Sequence, residues 1–239
     1  MVRVVASSVR GPAHAQDGLP CQDAWKADTG SRASFAVVCD GMGSRPRAQA
    51  GARAATLAAR DAWRLWRRST AGAVEDLIRL LEAAWRIRLD EIPPDSAATT
   101  CLVYAEDEHG RAALLQLGDG LMARRTRDGA VIVHPAGRAL DFGATLALGT
   151  PHALADWSWS LTTPLARGEA LVMATDGVAD DFDHRRLGEL AAWIMDEFGA
   201  LAHPGRALAR ELRAWPVPHH LDDKTLLVMW KPCNSPSDK

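Results

Sequence analysis

Four acidic positions in the 239-residue chain share a local pattern, a carboxylate beside Gly or a second polar residue: Gln22-Asp23, Asp40-Gly41-Met42-Gly43, Asp176-Gly177 and Asp222-Asp223. The runs Phe35 to Cys39 and Leu171 to Thr175 lead directly into Asp40 and Asp176, so a buried strand is expected to deliver each carboxylate to a defined point. Hard divalent cations take oxygen ligands, and magnesium or manganese sites combine a few carboxylates with water. Glycine beside such a ligand lets the backbone come close and leaves its carbonyl free to coordinate. Two metals about 4 Å apart can share a hydroxide and clamp a phosphoryl oxygen, which suits in-line hydrolysis of phosphate esters. One Asp-Gly alone is more often a plain turn. The ordered set points to metal-assisted phosphoryl chemistry.

The elements that must position these acids follow from periodicity. Val2 to Val9 and Ser34 to Cys39 read as short buried strands. A long Ala-rich helix is expected from Ser44, as N-cap with Pro46 just inside, to Trp66. A second runs from Ala73 to Leu89, where apolar residues recur at three- and four-residue steps until Pro93-Pro94. Thr99 to Tyr104, Ala112 to Leu117, Leu121 to Arg125 and Ala130 to Val133 read as strands of one antiparallel meander, turning at Gly110, Gly118-Asp119-Gly120 and Asp128-Gly129. Strands over Trp157 to Leu161 and Ala170 to Ala174, helices over His184 to Phe198 and Pro204 to Ala214, and a strand over Thr225 to Trp230 complete an α+β pattern. We expect one domain over residues 1–231 and a flexible tail over 232–239.

Composition narrows the partners. The formal net charge is −2 with a pI near 6.4, so no overall positive field favours nucleic acid or an anionic membrane. No apolar run reaches the roughly 20 residues that span a bilayer, and residues 1–10 lack a secretory pattern; the expected location is the cytoplasm, and the expected state a monomer. Cys21, Cys39, Cys101 and Cys233 are scattered and read as reduced thiols. The nine tryptophans fall mostly on helical faces or strands and read as core. The short Arg clusters at 64–68 and 124–127 read as solvated faces. Arg outnumbering Lys, with abundant Ala, suggests a G+C-rich, bacterial coding bias.

Taken in order, Cys21-Gln22-Asp23-Ala24-Trp25, Val38-Cys39-Asp40-Gly41-Met42-Gly43, Ala98-Thr99-Thr100, Leu117-Gly118-Asp119-Gly120, Ala174-Thr175-Asp176-Gly177-Val178 and Asp222-Asp223-Lys224-Thr225 resemble the metal-dependent, type 2C protein phosphatase family, especially its compact bacterial branch. The resemblance covers nearly the whole chain. It implies an α-β-β-α four-layer sandwich, two central antiparallel sheets flanked by helix pairs, with a binuclear centre at one end of the sheets. It implies hydrolysis of phosphoserine or phosphothreonine on proteins by a metal-bridging hydroxide, with two Mn2+ or Mg2+ ions per site and a weaker third. Carried over by position, Asp40 bridges both metals and Gly41 offers its carbonyl to one. Asp176 and Asp222 complete the other shell, so that Asp40, Asp176 and Asp222 are the catalytic set. Asp23 acts through metal-bound water or as a direct ligand, and Asp119 helps to hold the third metal. The implied partners are phosphoprotein substrates of a cognate bacterial Ser/Thr kinase, and residues 135–168 include the variable flap beside the site.

Three positions depart from the family pattern. Gln22 stands where many relatives have Glu, and a neutral ligand weakens the second metal's site. No Arg occurs between Ala15 and Cys21 to grip substrate phosphate as a fork; His14 is the favoured substitute, ahead of Arg10. Met42 cannot donate a proton to the leaving group. His219 and His220 are read as loop residues, Thr99 and Thr100 as strand residues behind the site. An aspartyl-nucleophile phosphatase is disfavoured, because Asp40-Gly41-Met42-Gly43-Ser44 lacks the second Asp of Asp-x-Asp-x-Thr. The alternative from another class is a catalytically weak phospho-binding or regulatory module, a pseudophosphatase.

Overall fold

The computed structural model describes residues 1–30, 32–70, 72–135, 145–215, 217 and 220–233. Two five-stranded sheets, antiparallel throughout, stand at its centre. The first contains β1 (Arg3–Val9), β10 (Lys224–Trp230), β9 (Ala170–Ala174), β6 (Leu121–Arg125) and β7 (Val131–His134), in that order. The second orders β2 (Ala24–Thr29), β3 (Ser34–Cys39), β4 (Cys101–Glu106), β5 (Ala112–Leu117) and β8 (Ser158–Thr162).

Helices α2 (Ala48–Trp66) and α3 (Val74–Leu89) cover the second sheet; α5 (Leu187–Phe198) and α6 (Pro204–Arg213) cover the first. The layers are legible in the strands' alternation. In β3, Phe35, Val37 and Cys39 face α2 and α3, while Ala36 and Val38 meet Leu227 and Met229 of β10 between the sheets. A strand covered on both faces needs no polar side, so the central strands read as continuous apolar runs. The chain is thus an α+β, α-β-β-α sandwich with three apolar layers.

Most of the large aromatics are core, as their spacing suggested. Trp63, Trp66 and Trp85 are buried, and each indole N–H reaches a carbonyl: Trp63 to Glu106 at 2.7 Å, Trp66 to Ala73 at 3.0 Å, Trp85 to Gly51 at 3.0 Å. Such pairing is what a buried indole requires. Trp25, Trp159 and Trp193 are the exposed exceptions. No described helix is long and apolar enough to cross a membrane.

Three expectations need correction. The four-strand meander is split: β4 and β5 pair in the second sheet, β6 and β7 in the first. Gly118 and Gly120, at φ +97° and +94°, let the chain cross between sheets, a conformation that side-chain-bearing residues rarely adopt. Ser44 is not an N-cap, because 43–47 form turns and α2 begins at Ala48 behind Arg47. Thr99 lies outside β4 and instead bridges Gly41 and Leu148. The sequence reading also lacked β2, the short helix α1 (Pro12–Gln16) and the single turn α4 (Asp176–Ala179); each is too short or too mixed in burial to show a period.

Candidate metal centre

At one end of the paired sheets a cleft of about 360 Å³ is lined by Asp40, Gly41, Asp119, Asp176 and Asp222, with His14 and Thr100 on its walls. Different elements bring each acid there. Asp40 directly follows β3, and its backbone is pinned from β4's approach. Its N–H donates to Thr100 Oγ1 at 3.1 Å, while its carbonyl accepts from the Thr100 N–H and Thr99 Oγ1, both at 2.8 Å. The two threonines therefore fix the site from behind, and Thr100 also reaches the cleft.

Asp176 follows β9 and opens α4, with Oδ1 accepting the Gly177 N–H at 2.6 Å. A Cβ on Gly177 would lie 1.9 Å from the Asp223 carbonyl oxygen, so glycine is what allows β9's end and β10's start to touch. Asp119 sits on the Gly118–Gly120 crossover and accepts a hydrogen bond from Thr145 Oγ1 at 2.8 Å. Asp222 is exposed, whereas its neighbour Asp223 is buried.

Asp23 is not on the cleft wall. It is buried beneath it, and Oδ2 accepts from Thr225 Oγ1 at 2.8 Å and Thr175 Oγ1 at 2.9 Å. Its Oδ1 has no hydrogen-bond partner, nor has Gln22 Oε1 nearby in the chain. Two buried acceptors without donors are costly unless a ligand or water completes them.

The electrostatics are those of an uncompensated acid cluster. Burial, opposed by the Thr225 hydrogen bond but aided by Asp223's charge, pushes Asp23 up to about 7. Burial and the neighbouring charges of Asp23 and Asp176 push Asp40 well above the usual carboxylate range. Asp176 is raised by burial and by Asp222 and Asp119, against a lowering contact from Asp40. A bound cation reverses this logic by favouring every deprotonated carboxylate at once.

Among the described residues, no three His, Cys, Asp or Glu side chains form a ready cage for a metal. The acids instead line an open cleft, which suits magnesium or manganese ions that keep several waters. With the orphaned Oδ1 of Asp23 beside Asp40, the residues present fit such ions.

Asp180 was missed in the sequence. It is raised by burial and by the charge of Asp119, and its N–H donates to the Asp176 carbonyl at 2.9 Å, one turn on. The four-residue step from Asp176 was its available signal. Arg10 donates to the Leu19 carbonyl at 3.2 Å and is absent from the cleft lining, whereas His14 lines it. His220 pairs with Asp181 away from the lining, and His219 lies outside the described residues. So do 136–144 of the expected flap and 234–239 of the expected tail. Cys39 and Cys101 are free and buried, with sulfurs 3.9 Å apart.

The fold and its acid-lined cleft define a two-sheet sandwich with a carboxylate centre at one end of its strands. A profile described as protein phosphatase 2C matches residues 10–215; the chain belongs to this family. Its fold is shared with solved structures of low identity. One is the photosystem II phosphatase PBCP: TM-score 0.66, 15% identity, covering 96% of this chain and 98% of that one. Another is PppA, described as a key regulatory component of T6SS in Pseudomonas aeruginosa: TM-score 0.62, 18% identity, covering 96% and 97%. A third is the catalytic domain of the serine threonine protein phosphatase PstP in complex with 2 manganese ions: TM-score 0.60, 17% identity, covering 95% and 97%. No curated protein sequence matches the chain.

Proposed function

We propose that this protein is a metal-dependent Ser/Thr phosphoprotein phosphatase acting as one domain over residues 1–231. The observation that carries the reading is the convergence of Asp40, Asp119, Asp176 and Asp222, from four separate elements, on one cleft whose neighbouring buried acceptors lack donors. Asp40, close enough to feel the charge of both Asp23 and Asp176, is the residue assigned to both cations; the Gly41 carbonyl, Asp176 and Asp222 complete their shells. Asp119, with Asp180, serves a weaker third ion. Asp23 acts through water, since both threonines occupy its Oδ2.

Two manganese or magnesium ions, when bound, would supply the activated nucleophile and neutralise charge on the phosphoryl group. The chain's own residues hold the acids at their spacing, exclude bulk water from behind Asp40 and offer His14 to the phosphate. The substrates are phosphoserine and phosphothreonine proteins, set against a bacterial kinase, and the protein works in the cytoplasm as a monomer.

The regulatory-module reading has one specific support: Gln22 in place of an acid, together with no Lys or Arg among the described cleft-lining residues. The test is turnover of p-nitrophenyl phosphate and a phosphothreonine peptide with manganese, magnesium or EDTA. Manganese-dependent hydrolysis abolished by EDTA is expected. A folded protein that binds manganese without turnover would establish the module instead.

A further inference from the structure

The first sheet ends at β7, which is bonded to β6 on one side only. The Thr126 N–H donates to the Ala130 carbonyl at 2.8 Å and closes the turn between them. Antiparallel alternation then turns the N–H and carbonyl of Ile132 toward β6, and those of Val131 and Val133 outward. Among the described residues, none is hydrogen-bonded to those outward groups. Ile132, on the face turned away from α5, is 59% exposed. An open edge of this kind is a template for another strand, and β7's short length limits indiscriminate sheet growth.

A groove of about 670 Å³ lies along β7 on the α5 side, separate from the acid-lined cleft. Val131 and Val133 form one wall with Arg125, which stands opposite Val131 in the hairpin; His184, Arg185 and Gly188 form the other. A Cβ on Gly188 would lie 3.1 Å from the Gly129 carbonyl oxygen and 3.4 Å from Val131 Cγ2, so glycine lets α5 begin close against the hairpin. The groove's free charge is positive. Its one acid, Glu189, is held by Arg186 at 2.8 Å, and Asp183 is held by Arg185 at 2.9 Å. Asp128, which feels the charge of Arg125, is exposed on the turn. Arg125 itself is half-buried, and its Nε is enclosed without an acceptor. An enclosed guanidinium N–H left unpaired is unfavourable, and such groups persist where a ligand completes them.

We propose that the β7 edge and its groove dock an extended, acidic segment of a partner protein, which adds to the first sheet as a further strand. Val131 and Val133 each offer it an N–H and a carbonyl. Side chains of the docked strand alternate, so every second one enters the groove, where a carboxylate meets Arg125 and His184. Main-chain pairing supplies the affinity, and the groove selects the residue. A second copy of this chain fits poorly, because its own β7 would bring another Arg125 and His184 to the same place, and like charges oppose that. A nucleic acid answers the charge but not the strand's alternating donors and acceptors. The docking surface stands apart from the phosphatase reading and does not depend on it.

The experiment titrates the full chain with a fluorescein-labelled octapeptide of alternating valine and glutamate, and with its valine-lysine counterpart. The glutamate peptide should bind and protect the Val131 and Val133 amides from hydrogen exchange. Arg125→Gln should weaken it about tenfold, the scale of one hydrogen bond to a charged group. Val133→Pro removes an outward N–H and no bond to β6, and should weaken it to a similar degree. N-methylation of one alternate set of peptide amides, but not of the other, should abolish binding to wild-type protein, which keeps the test decisive even where the proline variant does not fold. Binding that leaves both amides unprotected, equal binding of the lysine peptide, or indifference to Arg125→Gln would overturn the proposal. So would the absence of binding up to about 1 mM peptide, or a wild-type dimer that Val133→Pro dissociates, which would give the edge to a second copy.

Discussion

The two ends of β4 both carry buried carboxylate chemistry, and they solve it differently. At the far end, Glu106 accepts from the Tyr104 hydroxyl at 2.6 Å, the Ser34 N–H at 2.8 Å and the Leu165 N–H at 3.2 Å. Burial and the Glu106 charge hold that Tyr104 hydroxyl protonated far above its ordinary range. Every oxygen there has a donor from the chain itself. At the near end, beside Thr100, the Asp40 cluster crowds like charges and leaves Asp23 Oδ1 and Gln22 Oε1 unpartnered. A satisfied buried acid holds the fold together, whereas an unsatisfied cluster costs stability until something cationic arrives.

The contrast is broken most severely at Asp40. Asp40→Asn or Asp176→Asn should lower manganese-dependent hydrolysis by about a thousandfold, several kcal/mol of transition-state stabilisation. The same Asp40→Asn should raise the melting temperature of metal-free protein, because one repelling charge is gone. A lower melting temperature would show that the cluster is structural after all.

Glu106→Gln is the mirror experiment. Three donors, the Tyr104 hydroxyl and the Ser34 and Leu165 N–H groups, lose their charged acceptor, at a cost of about 2 kcal/mol in denaturant unfolding, while kcat and KM stay at wild-type values. A change in metal requirement would erase the distinction between the two ends.

Thr145→Val removes the hydroxyl that holds Asp119 Oδ2. Orienting partners of this kind govern metal affinity, so half-saturation by manganese should rise by up to about tenfold with little change in melting temperature. Unchanged manganese dependence would leave Asp119 outside the centre.

The smallest effect is in pH. Asp23, Asp40 and Asp176 are raised in the fold, so between the ordinary carboxylate range and about 7 the folded, metal-free chain binds more protons than the unfolded one. Its stability from these groups therefore falls as pH rises through that window. Saturating magnesium, which favours the deprotonated acids, should flatten the decline by a few degrees of melting temperature at pH 7. Parallel curves with and without magnesium would separate the cluster from metal binding.

What the sequence determined by itself was local. Apolar runs ending at Asp40 and Asp176 read correctly as strands that deliver acids, because burial on both faces leaves a continuous apolar run. The Ala-rich pattern found α2 but misplaced its start, since a plausible cap at Ser44 is overridden when residues 43–47 turn and Gly43 and Ser44 line the cleft. Tertiary structure decided which sheet β6 joins, which member of Asp222-Asp223 faces the cleft, and how Asp23 is held. The first depends on β9, about 50 positions on, and the others on partners about 200 positions away, such as Thr225 with Asp23 and Asp223 with Gln22. Periodicity and turn chemistry act between near neighbours, whereas the meeting of distant segments is set by how whole layers pack.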